Sequence, residues 1–159
     1  MSRIPSSTKL QTGKQRGVAA VEFSVILPIL IMLLAFPIFF GRLFMHYTVI
    51  QKAAHSAAVY YAGVAASDLN TQARAFEVEK VAIGLVNDQI SQLRPGNDTV
   101  SFYQFRCDGG PCGWATPTKI TVHIRLTMYD DLFNDFTWLI GISDGIQLES
   151  EVTIPYVGS

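Results

Sequence analysis

The side chains of this chain that could carry chemistry fall into three places. The first is a group of acidic residues in a stretch expected to be an irregular connection, namely Asp130, Asp131 and Asp135. Carboxylates so close together can serve as a general acid and base or bind Ca²⁺, but in a loop they are more typical of a solvated turn. The chain lacks the spacing of a Ser/His/Asp triad and the glycine patterns that bind phosphates or nucleotides. The sequence therefore predicts no catalytic residue, no small-molecule substrate and no cofactor.

The second place is the segment FRCDGGPCGW, which holds both cysteines, Cys107 and Cys112. The residues between them are turn formers that can bring the two thiols together. In an exported domain the natural expectation is a disulfide bond, and the alternative is a pair of free thiols in a mobile loop. A metal site would need more ligands. The three histidines share no ligand spacing with the cysteines, so no metal site is expected.

The third place is a single carboxylate, Glu22, within an apolar run from Val18 to Phe40. A helix of this length would measure roughly 34 Å, enough to cross a bilayer core of about 30 Å. Because a carboxylate inside lipid is costly, a charge in such a run is by default a functional-site hypothesis. The sequence thus predicts a membrane helix in which Glu22 has a role other than anchoring.

Charge is divided unevenly along the chain. Residues 1–17 carry four basic residues and no acid, which leaves eight basic and 13 acidic residues for 18–159. The basic leader predicts a cytoplasmic N-terminus with the remainder outside, and no basic face for nucleic acid exists beyond it. A cleaved secretory signal is disfavoured because the apolar run is too long and lacks a small-residue cleavage site at its end.

These patterns predict an α+β fold in which a long N-terminal helix is followed by a second helix packed on a small antiparallel sheet. The expected organisation is a leader at 1–17, a transmembrane helix at 18–40, a helical extension at 41–66 and a head at 67–159. One apolar stripe on the extension consists of Leu43, Tyr47, Ile50, Ala54, Ala57 and Tyr61. Its small residues would allow close packing, either on the chain's own head or on a partner helix.

The second helix is expected over residues 71–93, with an apolar face of Phe76, Ile83, Val86, Ile90 and Leu93. Three strands are expected to follow, near 99–106, 118–129 and 146–157. The second strand alternates regularly, which is typical of a strand with one buried face. Its expected inward residues are Ile120, Val122, Ile124, Leu126 and Met128.

The segment GVAAVEF at residues 17–23 resembles a class III signal sequence, the processing site of type IV-like prepilins. Together with Pro28, the Gly41-Arg42 pair and the alanine-rich helix beyond, it is similar to the TadE-like family of minor pseudopilins in tight-adherence (Tad) pilus systems. The resemblance is strong over about residues 14–66. It implies that a prepilin peptidase cuts after Gly17 and makes Val18 the new N-terminus, with Glu22 and Phe23 in its recognition segment.

The resemblance also implies that Glu22 pairs with the free amine of Val18 in this or a neighbouring subunit. The implied partners are the membrane, the prepilin peptidase, other pseudopilins, the major pilin and the inner-membrane platform. The expected function is to prime or regulate a pilus used in surface adherence, from the bacterial inner membrane, with the head in the periplasm. One alternative stays open, namely an uncleaved single-pass periplasmic binding or scaffold protein of the envelope. No residue set supports an enzyme with its site on the head, so the chain is not expected to be an enzyme.

Overall fold

The computed structural model describes residues 15–93, 99–129, 141 and 145–158. Over these residues it shows three helices and then three strands, which confirms the predicted α+β class, and the short middle helix was not predicted. The helices are α1 (Gln15–Ala62), α2 (Ala66–Leu69) and α3 (Gln72–Ser91). The strands are β1 (Thr99–Cys107), β2 (Lys119–Met128) and β3 (Ile146–Pro155). The chain divides into two compact units, Met1–Phe40 and Gly41–Ser159.

Helix α1 begins at Gln15, a few residues before the predicted start, and retains Pro28 and Pro37 in its interior. Its large apolar side chains from Val21 to Phe36 are exposed on every side of the helix. The helix ends at Ala62, four residues earlier than expected. There the N–H of Gly63 donates to the carbonyl oxygen of Val59 at 3.1 Å and the chain turns.

The core of the second unit lies between the Gly41–Ala62 part of α1, helix α3 and one face of the sheet. The alanines of the predicted stripe, Ala54 and Ala57, are fully buried. The Tyr61 ring stacks on Phe105 of β1, with ring centroids 5.3 Å apart. Since this burial occurs within the unit itself, the stripe packs against the chain's own head.

Two residues were wrongly predicted to lie on buried faces. Phe76 is 57% exposed, because the buried face of α3 is centred on Ala75, Ala82 and Val86, and Phe76 lies about a quarter turn away. Tyr47 is also exposed, although it lies on the same helix face as Ala54, because burial on this face begins further along the helix.

The sheet is an antiparallel meander in the order β1-β2-β3. All five of the predicted inward residues of β2 are buried, so the predicted alternation is confirmed. Gly113 in the β1–β2 connection lies at a close approach that requires glycine, and its φ is +101°. A Cβ there would lie 2.7 Å from the Cα of Gln72, so the connection can pack against the start of α3 only with glycine at this position.

Candidate functional site

The N-terminal part of α1 presents the predicted processing residues on an open helix surface. Gly17 is exposed, and apart from its own helix backbone a Cβ built on it would meet no atom within 4 Å. Glu22 and Phe23 are also exposed, and Phe23 keeps 61% of its surface accessible. Val18 lies in the helix as well. The structure therefore places these residues within two helical turns, and Gly17, Glu22 and Phe23 are exposed among the described residues.

The surroundings of Glu22 are apolar. The residues three and four positions away on the helix are Val18, Ala19, Val25 and Ile26, so no side chain of the same face can form an ion pair with the carboxylate. Val21 and Val25 keep more than 60% of their surface exposed. An acceptor on such a surface would need a donor from another molecule if this face were removed from water.

Helix α1 is also long and apolar enough to cross a membrane by its length and composition. Its most apolar stretch is only 11% buried within the molecule, whereas the central helix of a soluble protein would be mostly covered. An N-terminal helix of this kind fits a single-pass membrane protein. In that setting the exposed apolar surface would face lipid or other helices.

In the head, the β1–β2 connection is fixed at several points. A disulfide links Cys107 and Cys112, whose Cα atoms lie 5.0 Å apart. Asp108, at φ +52°, accepts hydrogen bonds from the backbone N–H groups of Thr118 and Lys119 at 2.9 and 3.1 Å. The Thr118 hydroxyl also donates to this carboxylate and, together with the backbone donors, lowers the pKa of Asp108.

The face of the sheet opposite the core carries a cluster of charged and aromatic side chains. The Nε of Arg125 donates to Oε1 of Glu149 at 2.6 Å, and Nε2 of His123 lies 3.5 Å from Oε2 of the same carboxylate. The hydrogen bond from Arg125 holds the pKa of Glu149 below its ordinary value. The Phe102 ring lies beneath the Arg125 guanidinium, at 5.7 Å from its centroid. Phe102, His123 and Arg125 border a hollow of about 350 Å³, which is also lined by Gln104, Arg106, Thr121 and Glu151.

Sequence reasoning identified the alternation of β2 but not this cluster, because the cluster depends on the register of three strands. Arg125 lies opposite Glu149, and His123 lies opposite Glu151, across the β2–β3 pair. Opposite charges at cross-strand positions are a known stabilising pair, so pairing the two alternating strands from the sequence would have given the signal.

The carboxylates Asp130, Asp131 and Asp135 lie outside the described residues. Within the residues that are described, no three His, Cys, Asp or Glu side chains come together as a metal site would require. His46 is buried, with its Nδ1 2.8 Å from the carbonyl oxygen of Arg42, so this imidazole is engaged by its own helix.

Comparison with known proteins finds one matching family, and the match covers part of helix α1. Residues 17–59 match the family model described as TadE-like protein, which confirms the predicted resemblance over that segment. The match includes Gly17, Glu22 and the alanines of the buried stripe. No curated protein and no solved structure matches the chain. The family match points to a protein associated with the Tad pilus and the membrane.

Proposed function

From an N-terminal helix that matches the TadE-like family, we propose that this protein is a minor pseudopilin that primes or regulates assembly of a Tad pilus. The observation that carries the proposal is the position of Glu22 on an exposed, otherwise apolar helix surface, five residues after Gly17. A helix that served only as an anchor would insert better with an apolar residue there. A carboxylate retained at this place suits pairing with a donor from another subunit.

The proposed processing step is cleavage after Gly17 by a prepilin peptidase on the cytoplasmic side. Cleavage would remove the basic leader and create a free amine at Val18, one helical turn from Glu22. The pair of opposite charges would relieve the cost of burying either one and would set the axial register between packed helices. The open space around Gly17 supports access of a peptidase to this bond.

The proposed location is the bacterial inner membrane, with the N-terminus in the cytoplasm and the head in the periplasm. Two features support it. The four positive charges of the leader favour retention on the cytoplasmic side. The disulfide between Cys107 and Cys112 suits an oxidising compartment such as the periplasm. The proposed partners are the prepilin peptidase, other pseudopilins, the major pilin and the membrane platform, and no enzymatic activity is proposed.

Replacement of Glu22 tests the assembly role. The Glu22→Ala protein should insert, lose its leader and reach normal levels, yet fail to support pili, because the carboxylate that pairs with the neighbouring amine is gone. Asp88→Ala is a matched control, since it removes one exposed acidic residue from a helix of the head. Pilus number on cells lacking the native gene is the readout. Normal piliation by Glu22→Ala would contradict the proposal.

A second candidate function is an uncleaved envelope protein whose head binds or scaffolds a partner. One observation favours this second function. Gly17 lies inside α1, whereas a peptidase requires its substrate to be extended. The helix must therefore unwind by about one turn before cleavage. The charged hollow on the outer face of the sheet would then be the natural binding surface of the head.

A further inference from the structure

Trp114 is a large aromatic residue that the fold leaves exposed. It follows Gly113 in the β1–β2 connection and keeps 73% of its surface accessible. The connection around it is nevertheless fixed by the disulfide, by the bonds of Asp108 and by the close approach of Gly113 to Gln72. An aromatic side chain displayed on a fixed loop loses little conformational entropy when it is buried by a partner.

Such a residue suits a binding interface. A tryptophan buries roughly 150–250 Å² when covered, and tryptophan is among the residues that contribute most to interface energy. A bilayer is the other common destination of exposed tryptophan, but the position of the loop argues against it. The Thr116 hydroxyl donates to Oδ1 of Asn70 at 3.2 Å, beyond the end of α1. Gly41 lies at the other end of the part of α1 that belongs to the head, roughly 30 Å from Ala62 along the helix axis.

The same head contains an open hollow beside helix α3, and its lining suits an indole ring. Its volume is about 570 Å³, and its apolar part is formed by Tyr60, Ala73, Val78 and Val81. The rest of the lining is charged, with Asp68, Arg74 and Glu77. An indole ring needs apolar walls and an acceptor for its N–H group, and its face attracts a guanidinium. The hollow offers apolar walls and, at its edge, the guanidinium of Arg74 and the carboxylate of Asp68, which form an ion pair at 3.3 Å.

The two features are neighbours on the head. Gly113 lies against Gln72, and the next two residues of α3, Ala73 and Arg74, line the hollow. Trp114 itself lies outside the hollow of its own chain. When a projecting group and its receptor lie on one patch, two copies related by a twofold axis can exchange them reciprocally.

We propose that the head carries a self-association surface in which Trp114 of one copy docks into the hollow of a second copy. Two docked tryptophans would bury about 300–500 Å² of their own surface, below the roughly 1,200 Å² typical of stable interfaces. The contact is therefore weak in dilute solution. Anchoring both copies in one membrane raises their effective concentration and permits the pair to form. The proposal does not depend on the pilus role.

A photo-reactive benzoylphenylalanine at position 114 of the full chain tests the contact. The purified protein is reconstituted in liposomes at several protein-to-lipid ratios and irradiated. The expected result is a dimer-sized product whose cross-link maps to the peptide containing Tyr60 or Val81. The same probe at Val157, which is 75% exposed and outside the hollow, is the control and should give at least tenfold less dimer.

A substitution in the hollow completes the test. Val81→Asp places a charge among the apolar walls and should reduce the cross-link at least tenfold, whereas Val157→Asp should leave it unchanged. Val81 is half exposed, so the head should tolerate the change. An intact disulfide and an unchanged circular dichroism spectrum of the variant are the checks that the head is folded. Absence of a dimer product, or an unchanged product with Val81→Asp, would overturn the proposal.

Discussion

The two parts of helix α1 are both rich in apolar residues, yet they are covered in opposite ways. From Val21 to Phe36 the large side chains are exposed, whereas from Ile50 to Ala62 small residues are fully buried. Among the described residues, the large side chains of the first part are left for lipid or other helices to cover. The second part contributes its small side chains to the core of the head. The hydropathy of both parts therefore indicates that they are to be covered. The size of the side chains distinguishes the two, because small residues allow close packing between elements of the protein.

Enlarging an alanine should have the greatest effect and should distinguish the two parts. Ala57→Leu should lower the free energy of unfolding of the head by about 3 kcal/mol, the upper end of the usual cost of overpacking, because Ala57 is fully buried. Ala20→Leu, on the exposed part of the same helix, should leave it unchanged. Pulse proteolysis of the full chain in detergent and urea measures both values. Equal effects would contradict the difference between the two parts.

Removing the disulfide should have a somewhat smaller effect, confined to the head. Replacing both Cys107 and Cys112 by serine should cost about 2 kcal/mol, the low end of the usual range, because the closed loop is short. The helical content of α1 should not change. Thiol labelling of the denatured, unreduced wild type should modify neither cysteine, and labelling of both would show that the bond does not form in the protein.

The smallest expected effect concerns pH. Because the folded pKa of Asp108 is lowered, its contribution to stability is present above the unfolded value of about 3.9 and is lost as pH falls through the folded value. Asp108→Asn should remove this part of the pH dependence below pH 4. Urea unfolding of the wild type and of Asp108→Asn at pH 3 and pH 6 measures this contribution to the free energy of unfolding. A wild-type head with the same pH dependence as the variant would contradict the assigned hydrogen bonds.

Much of this fold follows from local patterns. The apolar run of α1, the 3.6-residue periodicity of α3 and the alternation of β2 each predicted an element that the structure contains. The exposure of Phe76 was missed because periodicity weighs large residues over Ala75 and Ala82, which actually fill the contact. The Arg125–Glu149 pair and the approach of Gly113 to Gln72 depend on register and on a long-range contact, which one sequence does not specify.

The site at the N-terminus was predictable for a different reason. Gly17 and Glu22 belong to a short local pattern, and their meaning comes from a neighbouring leader and apolar run. The partner of Glu22 could not be predicted in the same way, because in the proposed assembly the donor that pairs with it belongs to another subunit.

The intact mass of the protein extracted from membranes of cells with an active prepilin peptidase tests the central claim most directly. The account predicts a chain that has lost residues 1–17 and begins at Val18. A bulky replacement such as Gly17→Phe should retain the leader while leaving the head folded, since a Cβ at that position meets no atom within 4 Å other than those of its own helix backbone. A wild-type mass corresponding to a start at Met1 or Ser2 in those cells would contradict the account.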